Sequence, residues 1–260
     1  MNELIDSHTH ILFGVDDGAV DLEESLELLM QSAANGVKEL VLTPHGNMKK
    51  EAGLTHKNQI LESFSYLKSM LQFHEIPLNL HLGMEVMGDF AVGQAWRNEE
   101  LFTLGNSRYL LVEFPFTANA NFACDCLKQI EACGLKPVIA HPERYKFITD
   151  NPAIAYEWNR KGYFLQINSG SILGEFGETI RHTVQILLKH QLVQIVASDC
   201  HHSTHRVPNL AEAWQLLARD YSPGYSDLLL KVNPKLLLAD QQVLIINPKN
   251  PRKQGVRHVY

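Results

Sequence analysis

The chain has 260 residues, of which 45% are hydrophobic and 20% charged, and its formal net charge is −6. This composition excludes a disordered, collagen-like or coiled-coil chain. The acidic balance provides no basic surface for phosphate backbones, so we expect no nucleic-acid partner. The sequence has neither a signal-peptide pattern nor a long apolar run, and its four cysteines form no CxxC pair, so we expect a cytoplasmic protein without direct membrane insertion.

Short apolar runs alternate with segments of helical periodicity, which is typical of parallel βα units. Between the first two runs, an Asp21-x-x-Glu24 capping box predicts a helix, and apolar stripes predict further helices at 60–71 and 180–188. Seven runs predict strands, at 3–6, 38–43, 78–83, 109–114, 136–141, 163–168 and 193–198.

No Gly/Ser linker, repeat or low-complexity tract divides the chain, so we predict an α/β fold with a single barrel domain over residues 1–248. The last segment, 249–260, has no apolar periodicity, and we predict that it is a solvated basic tail. Its basic residues are Lys249, Arg252, Lys253, Arg257 and His258.

Metal-ligand or acid–base side chains follow almost every predicted strand. In a parallel barrel the carboxyl ends of the strands converge on one rim, so residues that are distant in sequence meet there. We therefore predict a multinuclear metal site at this rim. Nitrogen and oxygen donors without a thiolate suit manganese, iron or zinc. The candidate ligands are His8, His10, Asp17, His45, Glu85, Glu113, His141, Asp199 and His201.

The charge of this set suits a phosphate ester. The four carboxylates carry −4, so three divalent ions would leave about +2, to which Arg144 and Arg206 add two positive charges. A guanidinium offers a planar fork of donors that matches phosphate oxygens. Clustered metal ions would lower the pKa of a bound water and stabilise the leaving oxygen, which indicates phosphate hydrolysis.

A second pattern indicates a different chemistry. Cys200-x5-Arg206 has the minimal spacing by which cysteine-dependent phosphatases place a thiolate below a phosphate held by arginine. The five intervening residues contain no glycine for a tight phosphate-binding loop, and the flanking Asp199 and His201 are candidate ligands. We therefore assign Cys200 no nucleophilic role.

Taken together, the motifs resemble the polymerase and histidinol phosphatase (PHP) superfamily, and within it the bacterial metal-dependent tyrosine phosphatases of the CpsB/CapC type. The resemblance covers most of the chain. It is carried by Asp6-Ser-His-Thr-His10, Gly14-Val-Asp-Asp-Gly18, Thr43-Pro-His45, Val112-Glu-Phe114, Ile139-Ala-His-Pro-Glu-Arg-Tyr145 and Ala197-Ser-Asp-Cys-His201.

The resemblance implies a distorted (β/α)7, TIM-like barrel with a centre of three divalent ions, usually manganese. It implies one ion held by His8, His10, Glu85 and Asp199, a second that shares Glu85 with Glu113 and His141, and a third held by Asp17, His45 and His201. Arg144 and Arg206 would clamp the phosphate. The implied substrate is a phosphotyrosine protein, namely a membrane-associated tyrosine autokinase that controls capsule or exopolysaccharide synthesis.

Three other functions remain open on the sequence alone. A small-molecule phosphatase of the same superfamily, such as histidinol-phosphate phosphatase, would share the metal ligands but enclose its substrate more deeply. An amidohydrolase also combines an early His-x-His with a late Asp, but its metal pair usually lacks the two Glu ligands and the arginines. A binding module stabilised by metal would have the same ligands and no activity.

Overall fold

The computed structural model describes residues 3–46 and 53–251. Within these ranges eight strands, all paired in parallel, form two sheets of order β1-β2-β3 and β4-β5-β6-β7-β8. The strands are β1 (Leu4–Thr9), β2 (Val37–Leu42), β3 (Asn79–Leu82), β4 (Glu85–Met87), β5 (Tyr109–Glu113), β6 (Lys136–Ala140), β7 (Phe164–Asn168) and β8 (Ile195–Ala197).

Helices separate most consecutive strands, as the alternating pattern predicts. They are α1 (Leu22–Ala34), α2 (Gly53–Phe73), α3 (Val92–Arg97), α4 (Ala120–Ala132), α5 (Lys146–Asp150), α6 (Ala153–Arg160), α7 (Ser169–Leu173), α8 (Glu178–Lys189), α9 (Leu210–Asp220), α10 (Pro223–Asp227) and α11 (Asn233–Leu238). The predicted N-cap of α1 is confirmed, because the Asp21 side chain accepts a hydrogen bond from the Glu24 amide at 3.0 Å. No helix in the described part of the chain is both long and apolar enough to cross a membrane.

The predicted number of seven strands is wrong for the described residues. The predicted strand 78–83 ends at Leu82 as β3, and the chain resumes at Glu85 as β4, which pairs with β5 instead of β2. The break lies at Gly83, where a Cβ atom would come within 2.9 Å of the Leu104 side chain. Apolar periodicity marks an extended segment but does not show that its pairing partner changes, so this break was not predicted.

Backbone contacts join the two sheets close to the candidate ligands. Thr9, at the end of β1, forms an isolated parallel bridge with Cys200, and His45, which follows β2, forms another with Glu85. The Asp199 amide also donates a hydrogen bond to the His8 carbonyl oxygen at 2.9 Å. Segments from both sheets are therefore held side by side where the candidate ligands lie.

The apolar core has two parts because successive strand residues face opposite sides. Leu110, Val112 and Ile139 belong to the larger cluster, with the buried faces of the helices. Leu111 and Val138 belong to a smaller cluster that also contains Phe164, Ile195, Leu237 and Val243.

The segment after α11 packs against the fold. Val243 is buried in the smaller cluster, and the Tyr109 hydroxyl donates a hydrogen bond to the Gln241 carbonyl oxygen at 2.6 Å. In the predicted basic tail, the Lys249 amide donates to the His190 carbonyl oxygen at 2.8 Å and Pro251 is buried. The rest of that tail, 252–260, lies outside the described residues.

Candidate metal centre

The predicted ligands lie together at one edge of the sheets, mostly where strands end, although Glu85 is the first residue of β4. Among these residues, three overlapping sets have donor atoms close enough to one another to hold a metal ion. They are His8, His10 and Glu85; His45, Glu85 and Glu113; and His10, Asp17, His45 and His201. Asp199 and His141 adjoin the first two sets. Most of these side chains are buried, but Asp17 is 63% exposed and lies at the mouth of the site.

The first set has the size of a metal coordination shell. His8 Nε2 lies 3.2 Å from His10 Nε2, 3.3 Å from Glu85 Oε2 and 3.4 Å from Asp199 Oδ1. His10 Nε2 lies 3.2 Å from Glu85 Oε2 and 3.6 Å from Asp199 Oδ1. Tetrahedral ligands with bonds of 2.0–2.2 Å lie about 3.4 Å from one another, so these atoms fit around one divalent ion.

The second set contains two donor atoms that face each other without forming a hydrogen bond. His45 Nδ1 lies 3.2 Å from Glu113 Oε1 and 3.4 Å from Glu85 Oε2. Both His45 Nδ1 and Glu113 Oε1 are buried, and neither makes a hydrogen bond to the described residues. Buried polar atoms without partners are costly, and a cation between these two would remove that cost.

The grouping differs from the one that the resemblance implies. His45 belongs to both the second and the third set. In the third set its Nε2 atom lies 3.4 Å from Asp17 Oδ1. His141 Nε2 lies 3.0 Å from Glu85 Oε1 but 3.9 Å from the nearer oxygen of Glu113. Glu85 bridges the first and second sets, as the resemblance implies.

Left-handed backbone conformations direct several of these side chains. His141 follows β6 with a φ of 33°, Asp199 follows β8 with a φ of 54°, and Arg206 has a φ of 53°. Non-glycine residues rarely adopt this region, and each such residue costs of the order of 1–3 kcal/mol. β6 and β8 therefore stop close to these two residues, and the His141 and Asp199 side chains lie against other candidate ligands.

Asp16 has a role that the sequence analysis does not assign. Its Oδ2 atom lies 2.8 Å from His10 Nδ1 and accepts a hydrogen bond from the His45 amide at 3.0 Å, while its Oδ1 accepts from the Gly18 amide at 3.0 Å. A proton on His10 Nδ1 leaves Nε2 free as a metal donor. The Asp-Asp-Gly sequence just after His-x-His was the available signal, but it does not show which aspartate faces the histidine.

The two arginines meet at the outer oxygen of Asp199. Arg206 Nη2 lies 2.6 Å and Arg144 Nη1 3.9 Å from Asp199 Oδ2. The Arg144 guanidinium also lies over the rings of Phe116 and Phe176, at 4.4 and 4.9 Å from their centroids. Both arginines are partly exposed, so their remaining donors can reach an anion that enters from solvent.

Without ions, the carboxylates change the protonation of the histidines. Burial disfavours the charged form of His10, but Asp16 and Glu85 outweigh burial and raise the pKa of His10 to about 9. Burial also opposes the charged form of His45, but Asp17, Glu113 and Glu85 raise its pKa to about 11. The surplus of carboxylates therefore attracts either protons or metal cations.

Cys200 is not placed to act as a nucleophile. Its side chain is fully buried, and burial followed by the nearby Asp6 carboxylate raises the pKa of its thiol well above the usual value. A phosphate held by Arg206 could not reach it without rearrangement of the core. The burial of Cys200 therefore agrees with the prediction that it has no nucleophilic role.

Comparisons with known proteins show which family the chain belongs to. The family model described as "Capsular polysaccharide synthesis, CpsB/CapC" matches residues 4–239. Tyrosine-protein phosphatase YwqE of Bacillus subtilis is 32% identical over 254 residues, covering 96% of this chain and 97% of its own length. Tyrosine-protein phosphatase CpsB of Streptococcus pneumoniae is 31% identical over 245 residues, covering 92% of this chain and 100% of its own length.

A solved structure from a study of YwqE and CpsB, described there as unique metal-dependent tyrosine phosphatases, superposes with a TM-score of 0.85 at 31% identity. The match covers 95% of this chain and 99% of that chain. Fold and sequence therefore agree over almost the whole length. The chain belongs to the CpsB/CapC family.

Proposed function

We propose that this protein is a metal-dependent phosphatase that hydrolyses phosphotyrosine on proteins. The observation that carries the proposal is the juxtaposition of three overlapping donor sets with two arginines that converge on Asp199 Oδ2. The names of the relatives supply the substrate class, and the geometry supports the reaction type.

We propose three divalent ions, manganese first and iron or zinc as alternatives. Bound there, the ions would supply a water of lowered pKa and positive charge for the phosphate oxygens. The ligands proposed for them are His8, His10, Asp17, His45, Glu85, Glu113, His141, Asp199 and His201.

The protein's own groups would bind and orient the ester. Arg144 and Arg206 would hold the phosphate at the open side of the site, because each keeps donors beyond its contact with Asp199. Asp199 sets the distance between the arginines and the first donor set, since its Oδ1 faces His8 while its Oδ2 faces Arg206. A phenol has a pKa near 10 and leaves readily, so this site does not require a strong general acid.

The open mouth favours a protein over a small metabolite as substrate. Asp17 is 63% exposed, and the nearby Phe116 is 43% exposed. A phosphotyrosine on a protein surface would need such access. We propose that the substrate is a membrane-associated tyrosine autokinase of capsule or exopolysaccharide synthesis, and that the phosphatase acts in the cytoplasm.

For the fold we propose a distorted (β/α)7, TIM-like barrel of the PHP type over residues 1–248. The two bridges that join the sheets support closure into one ring, with β3 and β4 as the two halves of a single barrel position.

The test compares turnover of a phosphotyrosyl peptide, a phosphoseryl peptide and histidinol phosphate by the purified protein. We expect the phosphotyrosyl peptide to be preferred, activity to be lost after chelation, and Mn²⁺ to restore it. Arg206→Ala should reduce turnover without removing bound metal. Preference for histidinol phosphate would instead establish the small-molecule phosphatase, and full activity after exhaustive chelation would contradict the proposal.

A further inference from the structure

Strand β7 provides no predicted metal ligand, yet two buried amide side chains on it face the candidate metal centre. Gln166 and Asn168 are both fully buried. They are two and four residues beyond Phe164, which lies in the smaller core cluster, so alternation places all three side chains on the same face of the strand. Buried amide groups are costly unless they are hydrogen-bonded, so the partners of these two side chains show what they do.

These amides connect two metal-ligand candidates through an unbroken series of hydrogen bonds. His8 Nδ1 lies 2.8 Å from Gln166 Oε1. Gln166 Nε2 donates to Asn168 Oδ1 at 2.9 Å, and Asn168 Nδ2 donates to Asp199 Oδ2 at 2.6 Å. His8 Nε2 and Asp199 Oδ1 then meet again at 3.4 Å in the first donor set.

The series can run in one direction only. An ionised Asp199 accepts but cannot donate, so Asn168 must present its NH₂ group to Asp199 and its oxygen to Gln166. Gln166 must in turn present its NH₂ group to Asn168 and its oxygen to His8. The oxygen can only accept, so in the neutral imidazole that binds a metal ion the His8 proton must be on Nδ1, and the Nε2 lone pair is left free.

A buried carboxylate fixes the strand that carries the amides. The Asn168 backbone amide donates to Glu143 Oε1 at 2.9 Å, and Glu143 is fully buried. Asn168 is thus held both through its main chain and through its side chain.

We infer that Gln166 and Asn168 are positioning residues that fix the tautomer and orientation of His8 for metal binding, with the charge of Asp199 setting the direction of the hydrogen bonds. This inference rests on the metal centre of the proposed function but not on its phosphatase reaction. Hydrogen-bonded partners of metal ligands typically contribute a factor of about 10–100 in metal affinity.

The experiment measures Zn²⁺ binding by equilibrium dialysis and elemental analysis for the wild type and for Gln166→Leu. The matched control is Gln194→Leu, because Gln194 is also buried and hydrogen-bonds to Asn159 and to the Leu165 amide in β7, away from the metal centre. We expect Gln166→Leu to weaken binding of one ion about 10–100-fold and Gln194→Leu to leave it unchanged. Gln166→Glu keeps an acceptor for His8 but loses the donor to Asn168 Oδ1, so it should recover only part of the affinity.

The second measurement needs no variant. In the zinc-loaded, ¹⁵N-histidine-labelled wild-type protein, long-range ¹H–¹⁵N correlations should show the His8 proton on Nδ1. A His8 proton on Nε2, or equal zinc affinity in the wild type and both leucine variants, would overturn the inference. Weakened zinc binding in Gln166→Leu together with no phosphatase activity in the wild type would retain the inference and reject the proposed function.

Discussion

Arg144 is held by aromatic rings rather than by a close carboxylate. Its guanidinium lies 4.4 Å from the Phe116 centroid and 4.9 Å from that of Phe176, while its contact with Asp199 is 3.9 Å long. Stacking on two rings orients the plane of the fork but leaves its hydrogen-bond donors unused. The Arg144 guanidinium is therefore oriented in advance, with donors available to bind an anion.

Phe176→Ala should raise KM for phosphotyrosyl peptide with little change in kcat. Loss of one cation–π contact of about 0.5–1 kcal/mol would release Arg144 and raise KM about two- to fivefold. Steady-state kinetics under saturating metal measure this effect. Phe73→Ala is the control, since Phe73 is 76% exposed at the end of α2. A large fall in kcat with unchanged KM would contradict this role for the ring.

Cys200→Ser should leave turnover within about twofold of the wild type once metal is saturating. The reason is the burial of the thiol, whose pKa lies well above its usual range. Removal of a true nucleophile would instead lower turnover by several orders of magnitude. Cys126→Ser is the matched control, since Cys126 is equally buried in α4. Loss of turnover in Cys200→Ser alone, with bound metal unchanged, would reinstate the cysteine mechanism.

The turn that follows β1 packs tightly against His10 and carries the candidate ligand Asp17. Gly18 is hydrogen-bonded to Asp16, and a Cβ atom on Gly18 would come within 2.0 Å of the His10 carbonyl oxygen. Neither the turn nor His10 can move away without displacing a candidate ligand, because Asp17 precedes Gly18 directly.

Gly18→Ala should lower both thermal stability and metal content. Overpacking of this kind costs about 1–3 kcal/mol. Calorimetry and elemental analysis of the same samples measure the two effects. Gly224→Ala, in α10, is the control, because a Cβ atom added there would meet nothing within 4 Å. Unaltered metal content in a destabilised Gly18→Ala would show that the turn does not place the ligands.

Sequence patterns predicted the positions of most elements and indicated that the candidate ligands share one edge of the sheets, for one physical reason. Strand ends coincide with the ends of apolar runs, and in a parallel fold these ends converge, so His8, Glu113 and Asp199 could be assigned to one edge. The division of the strand at Gly83 depends on a change of partner that leaves no local trace. The contacts of Gln166 and Asn168 with candidate ligands could not be predicted, because an amide in an apolar strand has the same sequence pattern as any other buried polar residue.

The sequence also could not predict which candidate ligands share a donor set. It depends on where the left-handed backbone at His141 directs one imidazole and on which neighbours His45 meets. These are small differences in distance between atoms on separate segments, whereas spacing along the chain specifies only that they share an edge.

At the scale of the whole molecule, metal binding is coupled to protons. In the protein stripped of ions, the pKa of His10 is about 9 and that of His45 about 11, so both are protonated at pH 7. Both values lie above that of an unfolded histidine, so their contribution to stability is present below about pH 6.5 and is lost as pH rises through 9 and 11. A metal ion requires the neutral imidazole and displaces these protons.

Affinity for Mn²⁺ should therefore increase between about pH 6.5 and 8.5, by about tenfold per pH unit for each proton released. Calorimetric titration in two buffers of different ionisation enthalpy counts the protons directly. The same titration of an Arg206→Ala sample serves as control, because this variant keeps every proposed metal ligand. An affinity that is independent of pH would show that His10 and His45 bind metal without losing a proton.

Each of the three donor sets takes atoms from both sheets. His8, His10 and His45 belong to segments that extend β1 and β2, whereas Glu85, Glu113 and His201 belong to segments of the other sheet. At the strand ends the sheets are joined by isolated bridges such as that of Thr9 with Cys200. A bound cation would thus fasten the two sheets across this junction, and amide hydrogens on both sides should begin to exchange with solvent together when the cation departs.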